Sequence, residues 1–509
     1  MASEPGAQTF VQRLFATTSL DVLRSAQRAS PLRRALRARD LIAVGLGTMI
    51  GGGIFTTIGP GVKLAGPAII LAFVLAGLAS FFAALAYAEL GAMVPIAGSA
   101  YTYAYATLGK LVAWIIGFAL LFEYGISAAP VAQQFSSAAQ SALRSFGFVV
   151  PAWAHTSHFV IHGAWWQLWR WDLTHSTYDV VGAVFVLLLS GLLCIGIRET
   201  ATTNNVFVVL KISALVVFVI FGIGLFNAHN LVPFVPLGWG SLKPFSGGGG
   251  AGVIPAAALV FFSYIGFDTA TTTAEECRNP QRDVPVGVLG ALGIGTVIYC
   301  VTAVVLVGAV PWQKVDENAA LAAAVAPLHN VFVDWTITVG VIAGTTSVAL
   351  SSLLGQTRIF YVMSRDKMLP PFVSRINPRF KTPALMTMIT GVAVALLTLI
   401  VPLDQLLNLV NIGTLSAFIV VCAGVIWLRR TRPDIPRPFR SPFVPVFPAI
   451  GIVLSMILVV FGLSTTTLVW FLGSLAVGLV IFFLYGFRMS QPEQVVGILE
   501  QDEPSGILL

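Results

Sequence analysis

The chain of 509 residues is 57% hydrophobic and only 10% charged, with a mean hydropathy of +0.87. A soluble protein of this length needs many more charged residues on its surface, so the composition excludes a soluble globular fold and predicts a multi-pass membrane protein. The net charge of +7 could indicate an anionic partner, but the positions of the basic residues give a different explanation.

Apolar segments recur along the whole chain, and they are long enough to cross the roughly 30 Å hydrocarbon core of a bilayer. Residues 441–487 contain no charged side chain. One helix of that length would measure roughly 70 Å, so this run must hold two spans with a turn near residues 464–467. We predict twelve transmembrane helices, at about 41–64, 68–93, 108–142, 179–197, 204–226, 252–276, 285–310, 333–358, 383–402, 405–428, 445–464 and 468–487.

Basic residues are distributed unevenly between the two sides that these spans define. With the amino terminus in the cytoplasm, 23 of the 29 lysine and arginine residues fall in inside segments and four fall in outside loops. This bias fits the positive-inside rule with both termini cytoplasmic, so the surplus charge requires neither nucleic acid nor an acidic substrate. Residues 1–40 are arginine-rich and polar, unlike a cleavable signal.

The longest predicted outer loop, residues 143–178, contains five tryptophans, which favours a position at the outer membrane–water interface. His155, His158 and His162 lie in this loop at helical spacing. A metal site is one explanation, but no carboxylate or cysteine lies among the three, so packing of an amphipathic turn is favoured. No disulfide framework or metal knuckle is predicted either, because the four cysteines are far apart: Cys194, Cys277, Cys300 and Cys422.

Two of the predicted spans are interrupted by glycine. The first contains GTMIGGGIF, with residues 51–53 all glycine in mid-span, and each glycine costs up to about 1 kcal/mol relative to alanine inside a helix. The sixth contains FFSYIGFDT, with Gly266 in mid-span. Close helix packing is the alternative explanation, but breaks at matching places in two halves of a chain are typical of inverted-repeat transporters, which bind substrate there.

Four stretches of the chain resemble one family: GLGTMIGGGIF, FFSYIGFDTATTTAEECRNPQRDVPVGVL, YAELGAMVPIAGSAYTYAYATLG and LGQTRIFYVMSRDKMLP. The chain is similar to the amino acid–polyamine–organocation superfamily over about residues 11–487, and most similar to its cationic amino acid transporter branch in bacterial form. The resemblance implies an all-α membrane protein of 12 transmembrane helices, with a 5+5 inverted repeat of the LeuT type and two further C-terminal helices. One departure is Gly52, where the family usually has alanine or threonine.

The resemblance also divides the chain into four parts. We expect a cytoplasmic N-terminal tail at 1–40 and a first inverted repeat of helices one to five at 41–226. A second repeat of helices six to ten is expected at 227–428. Helices 11 and 12 and a cytoplasmic C-terminal tail are expected at 429–509, and the whole protein is expected in the cell membrane.

The two breaks predict a substrate site. Freed N–H groups at residues 51–53 carry partial positive charge and can hold a carboxylate. Freed carbonyls at residues 48–50 and 262–263 can accept hydrogen bonds from an ammonium group. The resemblance implies that Phe262 is an aromatic gate, and ordinary packing is the alternative. The candidate substrate-binding residues are Thr48, Ile50, Gly51, Gly52, Gly53, Ile54, Glu123, Phe262, Ser263, Ile265 and Asp268.

Lys211 lies two turns into the fifth predicted span, after TTNNVFVVL, at a depth where charge is costly and usually functional. The alternative is a lysine that reaches back to the cytoplasmic surface, but a depth of about 10 Å from Asn204 strains that reach. The resemblance implies that a lysine at this motif replaces a sodium ion beside the first span in proton-coupled members. We therefore expect proton coupling through Lys211, which would secure or release the packing of spans one, five and eight.

Buried acidic residues offer further candidates. Glu123, in LLFEYGIS, lies near the middle of span three, and it could pair with Lys211, face the substrate or fix helix packing. Asp268 follows the break in span six, and it could bind a cationic side chain or cap the inner half-helix. Glu89 is expected to be structural. An intracellular gate of ion pairs is a further expectation at the end of span six, formed by Glu275, Glu276, Arg278 and Arg282.

These observations favour a secondary active amino acid transporter that works by alternating access and is driven by protons, for cationic or a broad range of amino acids. The alternative is an exchanger of neutral amino acids or amines. All six histidines fall in outer loops or at their edges, which argues against a membrane enzyme, and no P-loop lysine motif is present for ATP-driven transport. No catalytic residue, cofactor or metal is expected, and the predicted partners are the substrate, protons and lipid but not nucleic acid.

Overall fold

A computed structural model describes Leu14 and residues 36–93, 99–161, 171–195, 201–245, 250–272, 277–380 and 382–489. Most of these residues are helical. The α-helices in chain order are α1 Ala38–Met49, α2 Gly52–Ala65, α3 Ile69–Met93, α4 Ser99–Thr107, α5 Lys110–Ser145, α6 Val180–Ile195, α7 Ala201–Ile223, α8 Val253–Val260, α9 Thr269–Thr272, α10 Pro280–Ala309, α11 Ala320–Val325, α12 Val331–Arg365, α13 Ala384–Ile400, α14 Leu403–Thr431, α15 Val446–Gly462, α16 Thr465–Ile481 and α17 Phe487–Met489. Two strands accompany them, β1 His158–Ile161 and β2 Trp171–Thr177.

Helices long and apolar enough to cross a membrane dominate the described ranges. Eight runs meet this criterion: Gly52–Met93, Lys110–Ser145, Val206–Ile223, Val253–Thr271, Pro280–Ala309, Val331–Arg365, Leu403–Thr431 and Thr465–Met489. Three shorter apolar helices, α6, α13 and α15, occur beside them. The composition-based prediction of a multi-pass, helical membrane protein is therefore confirmed.

The turn predicted within residues 441–487 is confirmed by α15 and α16. α15 ends at Gly462, and Ser464 caps α16 by accepting a hydrogen bond from the N–H of Thr467 at 3.2 Å. Each helix contains 17 residues, which corresponds to about 25 Å of helix. The uncharged run is thus two helices of nearly bilayer thickness.

The long loop after α5 differs from the prediction of an all-α chain. β1 and β2 pair antiparallel, with His158 opposite Thr177, because both segments are rich in β-branched and aromatic residues. The expected helical spacing is therefore wrong for His158, and His162 lies outside the described residues. His155 instead contacts Arg144, and burial, followed by the positive charge of Arg144, lowers the pKa of His155.

Both predicted interruptions are breaks in the structure, and they share one backbone pattern. Ile50 is extended and Gly51 follows with φ of 132° between α1 and α2. After a 3-10 turn at Phe261–Tyr264, Ile265 is extended and Gly266 follows with φ of 110°, ahead of α9. Glycine adopts such positive φ values without the steric cost that a side chain imposes, so the glycines account for the positions of the breaks.

The long helices α5 and α12 form the support on which the broken helices lie. They pack along each other, and both contact α2. α12 also packs against α7, and α5 packs against α14. α1 packs against α10 on its other side. This arrangement holds both breaks at the centre of the helical bundle.

Candidate functional site

A small cavity lies where the two breaks face α5 and α12. Its volume is about 40 Å³, which is space for a few water molecules. Four of the candidate residues contribute to its lining, and every lining side chain is uncharged. The lining residues are Thr48, Gly53, Tyr124, Ser127, Phe262, Ile265, Gly266, Thr269, Val348, Ser351 and Ser352.

Thr48 joins the two breaks. Its Oγ1 lies 2.8 Å from the carbonyl oxygen of Gly266, 2.9 Å from Oγ1 of Thr269 and 3.0 Å from the carbonyl oxygen of Gly45. Thr269 also donates to the carbonyl of Gly266, at 2.6 Å. A hydroxyl has one proton to donate, so these groups have more acceptors than donors. The joint can therefore exchange partners when a substrate group enters.

The start of α2 approaches its neighbours too closely for side chains. A Cβ on Gly52 would lie 2.6 Å from Cγ1 of Val348, and a Cβ on Gly53 would lie 2.5 Å from Cα of Ser263. The N–H groups of the first helical turn have no partner within the helix, and Gly52 and Gly53 have no side chain of their own to shield them. This geometry fits the expected carboxylate-binding role of residues 51–53, which stays a prediction.

The 3-10 turn Phe261–Tyr264 presents both of its predicted acceptors in a bonded state. The carbonyl of Ser263 accepts from Tyr299 OH at 2.9 Å, and that of Phe262 accepts from the N–H of Ile265 at 3.2 Å. The Ser263 hydroxyl lies 2.7 Å from Oγ1 of Thr57. A carbonyl oxygen has two lone pairs, so each could still receive an ammonium proton.

Glu123 and Asp268 lie together next to the cavity, with exposed fractions of 2% and 5%. Tyr124 OH donates to Oδ2 of Asp268 at 3.3 Å, and the Thr414 hydroxyl donates to the carbonyl of Val410 at 3.2 Å. The two carboxyl groups are close enough to interact electrostatically. Glu123 therefore has a carboxylate neighbour that the sequence did not indicate, and neither acid lines the cavity directly.

Lys211 is fully buried, and its Nζ donates to the carbonyl of Gly47, in the last turn of α1. α7, which carries Lys211, packs against both α1 and α12. Three donors are available on an ammonium group. The structure thus places Lys211 at the junction of the predicted spans one, five and eight, while its coupling role remains a prediction.

Three candidates lie behind the lining rather than in it. Ile50 and Ile54 are fully buried on either side of the glycines, and Gly51 faces the backbone of Gly344 in α12. A binding role for these three residues stays a prediction, and it would use their backbone groups. One wall of the cavity comes from α5 and α12, and no sequence pattern indicated its residues: Tyr124, Ser127, Val348, Ser351 and Ser352.

Glu89 has the structural role expected of it, because its ion pair with Arg429 joins α3 to α14. Its carboxylate accepts from Arg429 Nε at 3.0 Å and Nη2 at 2.7 Å, and from the N–H of Ser441 at 2.8 Å. Arg437 Nε lies 3.4 Å away, and burial lowers the pKa of Arg437 in spite of this carboxylate. Two acids of the expected gate lie outside the described residues: Glu275 and Glu276.

Comparison with known proteins shows relatives along most of the chain. The family model described as amino acid permease matches residues 36–484. The branched-chain amino acid permease BcaP of Bacillus subtilis (strain 168) is 38% identical over 480 residues, covering 93% of this chain and 97% of the relative. The methylthioribose transporter of the same organism is 38% identical, over 94% and 98%. The vacuolar cationic amino acid transporter 4 of Arabidopsis thaliana is 36% identical, over 79% and 64%.

The match covers both breaks, the long helices beside them and the buried lysine. It confirms the resemblance that the sequence motifs carry. The chain therefore belongs to the amino acid permease family, within the amino acid–polyamine–organocation superfamily, and is an amino acid transporter.

Proposed function

We propose that this chain is a proton-coupled transporter that moves amino acids by alternating access through the cavity at the two helix breaks. The observation that carries the proposal is the joint at Thr48, where two unwound segments share hydrogen bonds beside one cavity. In a bilayer, non-helical backbone is tolerated only where protein or a cavity surrounds it. Two breaks that meet at one cavity therefore support a substrate site at that cavity.

Helix packing supports twelve spans in a 5+5 inverted repeat. We assign α1–α2, α3, α5, α6 and α7 to the first repeat, and α8–α9, α10, α12, α13 and α14 to the second. If each helix is replaced by its counterpart in the other repeat, the α5–α14 contact becomes the α12–α7 contact. Both contacts are extensive in the structure. Three further pairs convert into themselves and are also extensive: α3–α10, α5–α12 and α6–α13. A symmetric contact pattern is what an internal repeat produces.

The proposed substrate binds through its main chain. Its carboxylate would accept hydrogen bonds from N–H groups at residues 51–53, where the α2 dipole is positive. Its ammonium would donate to carbonyls at residues 48–50 and 262–263. This mode needs no charged side chain, in keeping with the uncharged lining. Phe262, which lines the cavity and is 4% exposed, would cover the bound substrate.

For the side chain of the substrate, the lining favours a neutral amino acid. Phe262, Ile265 and Val348 offer apolar surface, and the polar lining groups are hydroxyls. A cationic side chain is the second candidate, because Asp268 lies one hydrogen bond behind Tyr124. The relatives are named for branched-chain amino acids, cationic amino acids and methylthioribose. Family membership therefore does not select a substrate, and the proposal rests on the residues that line the cavity.

Competition for uptake into proteoliposomes with an inward proton gradient tests the proposal. We expect unlabelled valine to reduce the uptake of a labelled amino acid more strongly than unlabelled lysine does. If lysine is the better substrate, Asp268→Asn should weaken it about ten- to a hundredfold, the loss of one charge-assisted hydrogen bond, and should change alanine much less. Uptake that does not depend on the proton gradient, or that requires sodium, would contradict proton coupling.

A further inference from the structure

An open groove, which shares no lining residue with the substrate cavity, lies beside the first turns of α10. We name it the α10 groove. Its volume is about 800 Å³, within the range of small-molecule sites. One wall is α10 and the other is the segment that follows α14. The lining residues are Gln281, Arg282, Pro285, Val286, Leu289, Gly290, Pro438 and Phe439.

The α10 groove is amphipathic along its length. Gln281 and Arg282 are exposed at the end where α10 begins. The N–H groups of Arg282 and Asp283 donate to the carbonyl of Asn279 at 3.0 and 2.8 Å, so the Arg282 guanidinium is the charged group that this end offers to a ligand. Val286, Leu289 and Gly290 then form an apolar floor. Among the described residues of this turn, the acid Asp283 is only 9% exposed, whereas Arg282 is exposed.

The apolar floor continues into an exposed stripe on the same face of α10. Val286, Ile294, Val297 and Val301 are 45%, 45%, 63% and 42% exposed, and their spacing places them within one side of the helix. A Cβ on Gly293, between them, would meet nothing within 4 Å. An exposed apolar face of this length on a membrane helix contacts lipid chains, so the groove opens sideways into the bilayer.

The second wall of the groove is held in place from inside. Arg437 turns inward to Glu89, with its side chain only 5% exposed, and the next two residues, Pro438 and Phe439, face the groove. The floor is also fixed, because a Cβ on Gly290 would lie 2.8 Å from the side chain of Ile42 in α1. The groove is therefore a formed cleft between anchored elements.

We propose that the α10 groove binds one anionic phospholipid. Its phosphate would receive hydrogen bonds from the guanidinium of Arg282, and one acyl chain would follow the floor onto the exposed stripe. Charge complementarity selects the headgroup, because the lining residues include one cation, Arg282, and no acid. Basic groups at the membrane surface attract anionic lipids in this way.

Native mass spectrometry of the purified full chain in detergent can test this proposal. Phosphatidylglycerol and phosphatidylcholine with identical acyl chains are added separately, and the Kd of the first bound lipid is compared. We expect phosphatidylglycerol to bind about fivefold more tightly, the effect of one cation near the surface. Arg282→Gln should remove the preference, whereas Arg379→Gln, an exposed arginine outside the groove, should retain it.

A second variant tests the acyl chain. Leu289→Trp fills the floor of the groove and should weaken both lipids at least fivefold while the transporter stays folded. Glycerol 1-phosphate, which has the charge without the acyl chains, should not bind at the concentrations at which the lipids bind. Equal affinity for the two lipids, a preference that survives Arg282→Gln, or glycerol 1-phosphate binding as tightly as phosphatidylglycerol would overturn the proposal.

Discussion

At the scale of single residues, Gly53 decides how closely α2 approaches the 3-10 turn of the second break. A Cβ there would lie 2.5 Å from Cα of Ser263, and backbone cannot move aside as a side chain can. Overpacking of this kind typically costs about 1–3 kcal/mol. We expect Gly53→Ala to weaken substrate binding about tenfold or more, and Gly53→Leu to abolish it, as measured by ligand-induced thermal shift.

A matched glycine provides the control for this prediction. Gly293 also lies inside a helix, but its Cβ would meet nothing within 4 Å. Gly293→Ala should therefore keep wild-type affinity and gain slightly in stability, because alanine is the better helix former. Wild-type affinity in Gly53→Ala would contradict the proposed site.

Lys211 carries the second prediction at this scale. Its hydrogen bond to the carbonyl of Gly47 ties α7 to the inner half of the broken helix, and a lysine that loses its proton would weaken that tie. We expect Lys211→Ala to lose proton-driven accumulation while keeping exchange of substrate across proteoliposomes. Lys63→Ala is the control, because Lys63 bonds the carbonyl of Gln313 at the exposed edge. Full accumulation by Lys211→Ala would disprove the coupling role.

Some site residues could be found from sequence because they break a local rule. Glycines in mid-span and a lone lysine in an apolar run are costly wherever they occur, so the sequence singles out Gly51 and Gly266, where the helices break, and Lys211, whose coupling role stays a prediction. Ser127 and Ser352 break no such rule. A serine in a membrane helix can bond its own backbone, as Ser127 does with the carbonyl of Tyr124 at 3.2 Å. Only the three-dimensional packing reveals that these hydroxyls face the cavity.

At the scale of helices and strands, apolar length predicted the helices well and missed contacts between distant segments. The turn at Ser464 follows from the length of a helix against the bilayer. The strands β1 and β2 were missed because four and seven residues leave little periodicity in a loop rich in tryptophan. The partners of Glu89 lie about 340 residues away along the chain, so no local pattern indicates them.

The contact at Glu89 permits a prediction about how α3 and α14 are joined. Its carboxylate is 1% exposed and forms ion pairs with Arg429 and Arg437, whose side chains are 25% and 5% exposed. Removing one partner of a buried pair typically costs about 3–5 kcal/mol, because it leaves buried charge uncompensated. We expect Glu89→Gln to lower the Tm of the purified transporter strongly in a thermal unfolding assay.

An exposed ion pair in the same segment is the control for Glu89. Arg432 and Asp434 are 3.9 Å apart, with side chains 57% and 71% exposed, and pairs of this kind contribute about 0–1 kcal/mol. Asp434→Asn should therefore leave the Tm almost unchanged. Equal Tm values for the two variants would show that the Glu89 contact does not join the helices energetically.

At the scale of the whole molecule, the basic residues and the helix order together constrain the orientation. Lys314 lies between α10 and α12, and Arg379 lies between α12 and α13. One membrane-length helix, α12, separates the two positions, so they must lie on opposite faces if α12 crosses the bilayer. The positive-inside rule assigns the segment with Arg379 to the cytoplasm, because basic residues are concentrated there.

Cysteine labelling in intact cells tests this orientation. The four native cysteines would first be replaced by alanine in a chain that still transports, and Lys314→Cys and Arg379→Cys would then be made separately. Both replace one exposed basic side chain, so the two variants are matched in charge. We expect a membrane-impermeant maleimide to label Lys314→Cys in intact cells and Arg379→Cys only after lysis. The reverse pattern would invert the topology, and labelling of both in intact cells would show that α12 does not separate the two faces.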